Sequence, residues 1–212
     1  MLTVKYFSFN PFSENTYVVY NQEKACIIID PGCASPAEKN ELADFIQTEG
    51  LQPVHIFLTH THIDHVLGLQ YVKNLYKVPV LAHPLGEKGL QQTEMVGRLY
   101  GIPVELPPPI DQFIHEGESI QLGESTLQVL FCPGHAPDHL VLYAQEEGFA
   151  IVGDVIFRQS IGRTDLPGGN YDILMDSIHQ KILVLPSETI LYPGHGPETT
   201  IKQEITNNPF LK

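Results

Sequence analysis

Basic residues are scarce in this chain: twelve Lys and Arg stand against twenty-five Asp and Glu, a formal net charge of −13 over 212 residues. That field repels polyanions, and no local basic cluster offsets it, so nucleic acid and anionic membrane surfaces are excluded as expected partners. Cysteine is also sparse. Three residues, Cys26, Cys33 and Cys132, are too few and odd in number for a disulfide framework, and a reducing cytoplasm is the expected compartment. No apolar run approaches the roughly 20 residues that span a bilayer. The first residues, Met1 to Phe7, lack a basic stretch followed by an apolar segment and a small-residue cleavage site, and read as a strand. Low-complexity tracts and short-period repeats are missing as well. What remains is 42% hydrophobic residues in a length that suits one domain over 1–212 with a real core.

Alternation and apolar runs predict strands at Thr3 to Phe9, Thr16 to Tyr20 and Ala25 to Ile29, the last followed by the turn signal Asp30-Pro31-Gly32. Ser35-Pro36-Ala37-Glu38 combines a capping residue, a first-turn proline and an acidic partner, so a helix is expected from there to about Gln47. A strand from Pro53 to Leu58, a helix after His65, a strand at 78–82 and a helix at 84–100 follow, then an irregular proline-rich stretch, Pro103 to Pro109. The second half reads as strands at Ser119 to Leu122, Leu127 to Phe131, Leu140 to Ala144 and Phe149 to Val152. A helix at Tyr171 to Leu183, a strand at Thr189 to Tyr192 and a closing helix at Glu198 to Ile205 complete it. Periodicity alone supports α/β or α+β. Strands followed by helices, twice over, suggest an αββα sandwich: two mixed sheets packed face to face with helices outside.

Chemistry concentrates in Thr59-His60-Thr61-His62-Ile63-Asp64-His65, four metal-competent side chains where a strand should stop. In extended backbone His60 and His62 point the same way. Asp64 and His65 need a turn, and Asp64 is expected near the N-terminus of the next helix, where a carboxylate is favoured. Three later segments share one grammar, an apolar strand ending at Gly beside a ligand-type residue: Cys132-Pro133-Gly134-His135, Val152-Gly153-Asp154 and Tyr192-Pro193-Gly194-His195. Strand ends gathered on one edge are where such folds place their sites. Seven ligands exceed one tetrahedral site and suit two metals if one carboxylate bridges.

This pattern, His-x-His-x-Asp-His followed by a distant His, Asp and His, resembles the metallo-β-lactamase superfamily across the chain. The resemblance implies a first site of His60, His62 and His135, a second of Asp64, His65 and His195, and Asp154 as the bridge. It further implies two divalent ions, zinc in the first instance with iron or manganese as alternatives, and catalytic roles for Asp64 and Asp154. An aspartate at 154 and histidines elsewhere are similar to the hydroxyacylglutathione hydrolase (glyoxalase II) branch, as is Gly162-Arg163-Thr164-Asp165-Leu166-Pro167-Gly168-Gly169-Asn170. In that branch longer enzymes carry a C-terminal helical domain that helps hold glutathione. Here seventeen residues follow His195, so that domain is expected to be absent.

The expected function is therefore a metal-dependent thioester hydrolase acting on S-lactoylglutathione or a related acyl-thioester, working as a monomer or small homo-oligomer. Arg163 is the candidate anion contact, with Asn170 and Tyr171 as further substrate-lining candidates, although Asn170 also reads as a helix cap. A second reading is a persulfide dioxygenase holding one iron on His60, His135 and Asp154. A lactonase and a non-catalytic member are further alternatives, the last requiring a broken ligand set. His83 and His139 are candidates to back the ligands; His55, His115, His179 and Cys132 read as packing or surface residues.

Overall fold

In the computed structural model, which describes residues 1–212, the chain forms two compact units, Met1–Ile114 and His115–Lys212. The first unit is built on a six-stranded sheet in chain order: β1 (Leu2–Phe9), β2 (Glu14–Asn21), β3 (Ala25–Ile29), β4 (Gln52–Phe57), β5 (Val80–Ala82) and β6 (Gln112–Phe113). The β1–β2–β3 pairs are antiparallel and the β3–β4–β5–β6 pairs parallel, so the sheet is mixed. Cys26, Ile27, Ile28 and Ile29 are all fully buried, as expected of a strand covered on both faces. Helix α1 (Pro36–Thr48) starts where the capping signal placed it: Ser35 accepts from the Glu38 amide, and the Glu38 carboxylate takes the Ser35 amide in return. With α2 (Leu69–Tyr76) it buries Leu42, Ile46, Leu69 and Val72 against Cys26, Ile28, Ile56 and Val80. Helix α3 (Gly86–Tyr100) completes the unit.

The second unit carries another six-stranded mixed sheet. Strands β7 (Ser119–Leu122), β8 (Ser125–Phe131), β9 (Leu140–Ala144) and β10 (Phe149–Gly153) form an antiparallel meander. Strand β13 (Ile190–Pro193) joins β10 in parallel, and the short β14 (Thr199–Thr200) pairs antiparallel with it. A small hairpin, β11 (Ile156–Phe157) and β12 (Ser160–Ile161), stands apart from this sheet. Helix α4 (Tyr171–Ser177) runs on into a wider turn over Ile178–Ile182, and α5 (Ile201–Asn207) follows β14. Leu174, Ile178, Ile182 and Ile201 pack on Val141, Ala150, Val152 and Leu191.

Three local expectations need correcting. The chain after His65 does not enter a helix directly: Ile63–His65 is a single 3-10 turn, and α2 begins only at Leu69. Gly68 in the N-cap position offers no side-chain acceptor, and Asp64 lies outside the helix's first turn. The last helix begins at Ile201, because 199–200 pair with β13 and Thr200 then caps α5 by accepting from the Gln203 amide. Three two-residue strands, β6, β11 and β14, are too short for periodicity to reveal.

Candidate metal centre

Strand register places the candidate ligands within each unit. In the first unit β3 and β4 run parallel, with Ile29 opposite Phe57. The chain beyond each strand end therefore lies side by side, and the Asp30 amide donates to Phe57 O at 3.0 Å. Asp30, in the left-handed region at φ 49°, turns its carboxylate onto Thr59, accepting from the Thr59 amide at 2.7 Å and its hydroxyl at 2.6 Å. His60 follows, buried, with Nδ1 3.0 Å from Thr59 Oγ1 and Nε2 3.2 Å from His62 Nδ1. The 3-10 turn then brings His65 beneath them, its ring 4.1 Å from that of His60, and leaves its Nε2 3.7 Å from Asp64 Oδ2. The Asn10 amide donates to both Gly32 O and Asp64 O, fixing this turn to the β3 end.

In the second unit β10 and β13 are the parallel pair, and the Gly194 amide donates to Gly153 O at 2.8 Å. Asp154 and His195 thus leave adjacent strand ends, and His195 Nε2 is 3.6 Å from Asp154 Oδ2. His135, in the turn after β8, places Nε2 3.4 Å from the same oxygen. Gly134 before it adopts φ +128° with Leu174 backbone against its Cα, a conformation and a space that no side chain fits.

These distances fit metal coordination. Two nitrogen or oxygen ligands about 2.0–2.1 Å from one tetrahedral ion lie about 3.3 Å apart, close to the 3.2 Å of His60–His62 and the 3.4 Å of His135–Asp154. The far nitrogens of the ligand imidazoles are braced as metal-bound histidines are. His65 Nδ1 meets Asp30 Oδ2 at 3.0 Å, and His135 Nδ1 donates to the Arg163 carbonyl at 2.8 Å. Asp30, His60 and His65 are themselves close enough to suggest a third ion-binding trio. Both Asp30 oxygens, however, are taken by Thr59 and His65 Nδ1, so Asp30 is a brace rather than a ligand.

Behind it lies Glu14, fully buried, with Oε1 3.9 Å from His65 Nδ1. Burial pushes the Glu14 carboxyl well above the usual carboxylate range, against the favourable pull of His65. In the sequence Asp30-Pro31-Gly32 reads only as a turn, and nothing there singles out Glu14. The one local sign is that Asp30 closes the fully apolar β3; Glu14, which opens β2, has none. His139 backs the second half, its Nε2 accepting from the Asp154 amide at 2.9 Å.

The other candidates are more peripheral. The exposed Arg163 guanidinium is held by Asp165 through two contacts of 2.7 Å, and that bonding lowers the Asp165 carboxyl to about 2. Asn170 caps α4 by accepting from the Ile173 amide, and Tyr171 is half exposed in the helix's first turn. His83 Nδ1 accepts from the Leu85 amide. Cys132 is fully buried, and burial pushes its thiol up to about 12, as it does for Cys26 and Cys33.

Comparison with known proteins decides the family. Residues 9–195 match the model of the metallo-beta-lactamase superfamily. The chain belongs to that superfamily. It is 36% identical to the hydroxyacylglutathione hydrolase GloC of Haemophilus influenzae over 203 residues, covering 94% of this chain and 93% of the relative. Among solved structures, the BLEG-1 B3 metallo-beta-lactamase superposes with a TM-score of 0.92 at 39% identity, covering 99% of this chain and 100% of that one. TTHA1623 in a di-iron-bound form superposes at 0.88 with 37% identity, covering 98% and 100%. The fold class expected from sequence, an α+β sandwich of two mixed sheets, is that of this superfamily, whose members use divalent metal ions. The chain is a metal-binding hydrolase of the superfamily, and its histidine and aspartate clusters fit a metal site. None of its helices is long and apolar enough to cross a membrane.

Proposed function

We propose that this metallo-β-lactamase superfamily chain is a glyoxalase II-like thioester hydrolase. In this reading His60, His62 and His135 hold one divalent ion, Asp64, His65 and His195 hold a second, and Asp154 serves both. The observation that carries the reading is the 36% identity to a hydroxyacylglutathione hydrolase over nearly the whole chain, with all seven ligand positions filled by His or Asp. Divalent ions held by these residues would supply a bound water with its pKa lowered towards about 7 and polarisation of the substrate carbonyl.

The protein's own contribution is orientation. Asp30 and the Arg163 carbonyl keep a proton on Nδ1 of His65 and His135, leaving each Nε2 as a lone-pair donor. His139 and the Gly153–Gly194 bond fix where the Asp154 carboxylate points. A thioester releases a thiolate, a good leaving group, so no strong general acid is needed, and none is required of these residues. Zinc is the proposed native metal; the di-iron form of TTHA1623 makes iron the first alternative.

The oxidoreductase reading rests on Gly162-Arg163-Thr164-Asp165, a segment shared with persulfide dioxygenases, and needs one iron on His60, His135 and Asp154 alone. Metal analysis of protein purified without added metal, paired with assays of S-lactoylglutathione cleavage and glutathione persulfide oxidation, separates the two. Two ions per chain with thioester cleavage support the hydrolase; one iron with oxygen uptake refutes it. His60→Ala and Asp154→Ala are expected to remove metal and turnover while the far-UV circular dichroism stays native.

A further inference from the structure

The hairpin β11–β12 lies between two parts of the proposed centre. It begins two residues after Asp154 and ends two residues before Arg163, whose carbonyl holds His135 Nδ1. Its base is tight: the Gly162 amide donates to Val155 O, and a Cβ at 162 would lie 1.9 Å from Asp154 O and 3.1 Å from His135 Cβ. Along one edge, the Phe157 ring stands 6.1 Å from the His195 ring. Any shift of this hairpin therefore moves Asp154, the group that orients His135, and a neighbour of His195.

A buried polar cluster on α5 holds its tip. Glu204 is 1% exposed and Asn208 is fully buried. The Glu204 carboxylate accepts from the Gln159 amide at 2.8 Å, from Asn208 Nδ2 at 2.8 Å and from the Thr199 hydroxyl at 2.5 Å. Asn208 Nδ2 also donates to Ser160 O at 2.9 Å. Gln159 sits in the left-handed region at φ 60°, a conformation that a side chain adopts only when its surroundings hold it there. Thr199 lies four residues beyond His195, so the same carboxylate ties the segment after His195 to the hairpin that follows Asp154.

An acidic side chain in this place is costly to bury, and an apolar residue of similar size would stabilise the fold at least as well. A network with each donor matched instead fixes one geometry.

The geometry points to Glu204 as a positioning residue for the metal centre, acting through the hairpin on Asp154, His135 and His195. This inference rests on the metal-centre reading above. It is tested with metal-free full-length protein, titrated with Co²⁺ in competition with a chelator, together with the Co²⁺ absorption spectrum and urea unfolding of the metal-free forms. Glu204→Ala is expected to weaken uptake of at least one equivalent by about 10- to 100-fold, the usual cost of losing an outer support, and to alter the Co²⁺ spectrum. Glu204→Gln is expected to restore affinity to within about threefold of wild type. Its amide oxygen still accepts from Gln159 and Asn208, and its NH₂ can donate to Thr199 Oγ1. Asn208→Ala, which frees Ser160 O, should change the spectrum in the same sense, and it serves if Glu204→Ala does not fold.

A Glu204→Ala protein that loses unfolding free energy yet takes up Co²⁺ with wild-type affinity and spectrum would overturn the inference alone. So would the same result for Asn208→Ala where Glu204→Ala is unfolded. Wild-type protein that takes up no Co²⁺ would overturn the metal-centre reading first and the inference with it.

Discussion

Asp30→Asn tests whether His65 is held in a single tautomer. The substitution keeps shape and volume but replaces one carboxylate oxygen by an NH₂ group, at a site only 1% exposed. If the amide oxygen remains on the Thr59 amide, the NH₂ faces the Thr59 hydroxyl and His65 Nδ1, both now 2.6–3.0 Å from a donor. The hydroxyl can rotate and accept. The imidazole can accept only by moving its proton to Nε2, which removes the lone pair a metal would use. The flipped amide is no better, since it sets its NH₂ against the Thr59 N–H.

Loss of a buried charge-assisted hydrogen bond costs about 1.5–3 kcal/mol. Converted at about 1.4 kcal/mol per tenfold, that is about 10- to 100-fold in affinity for the ion His65 serves, the range found for outer supports of metal-bound histidine. The assay is chelator competition on metal-stripped protein, with the two binding steps resolved by calorimetry. One step should weaken while the other, on His60, His62 and His135, changes far less. Wild-type affinity in both steps would refute the argument that Asp30 governs the His65 proton.

Gly162→Ala should be more disruptive than its size suggests, because the added methyl meets backbone at Asp154 O rather than a movable side chain. A loss of about 1–3 kcal/mol in urea unfolding is expected from overpacking, together with weakened metal uptake, and a neutral result would mean the loop is soft. His55 sits half-buried, and burial lowers its pKa below 6.5. The unfolded chain therefore binds that proton first, and metal-free stability should decline as pH falls from 6.5 towards the folded value. Chemical denaturation of wild type against His55→Gln at pH 7.5 and 6.0 measures this, and identical pH slopes would remove the effect. Arg163→Ala should raise KM for an anionic thioester more than it lowers kcat, since a uniform-binding contact acts on both ground and transition states. The pairing of Arg163 with Asp165 should keep the change within about fivefold, and an unchanged KM takes the guanidinium out of the site.

The candidate ligands stand out in the sequence because a metal demands particular side chains at particular spacings, and those are local facts. The capping box at Ser35 and the fully apolar β3 were readable for the same reason. What could not be read depends on register. Asp30 reaches His65 across 35 residues because β3 and β4 happen to align Ile29 with Phe57, and nothing in Asp30-Pro31-Gly32 states that. The Glu204 cluster draws on residues 159, 199 and 208, whose meeting depends on two strands of only two residues each. The helix expected directly after His65 starts only at Leu69, because the apolar pattern turns helical before the chain has left the turn at Ile63–His65.

Under the proposed thioester hydrolysis, which would liberate thiols, the sealed cysteines have a consequence. With burial raising all three to about 12, each stays a neutral thiol at pH 7, and none is exposed to solvent. Such a protein can work amid small-molecule disulfides and persulfides without forming mixed disulfides of its own. Its cysteines would then be indifferent to the surrounding redox poise.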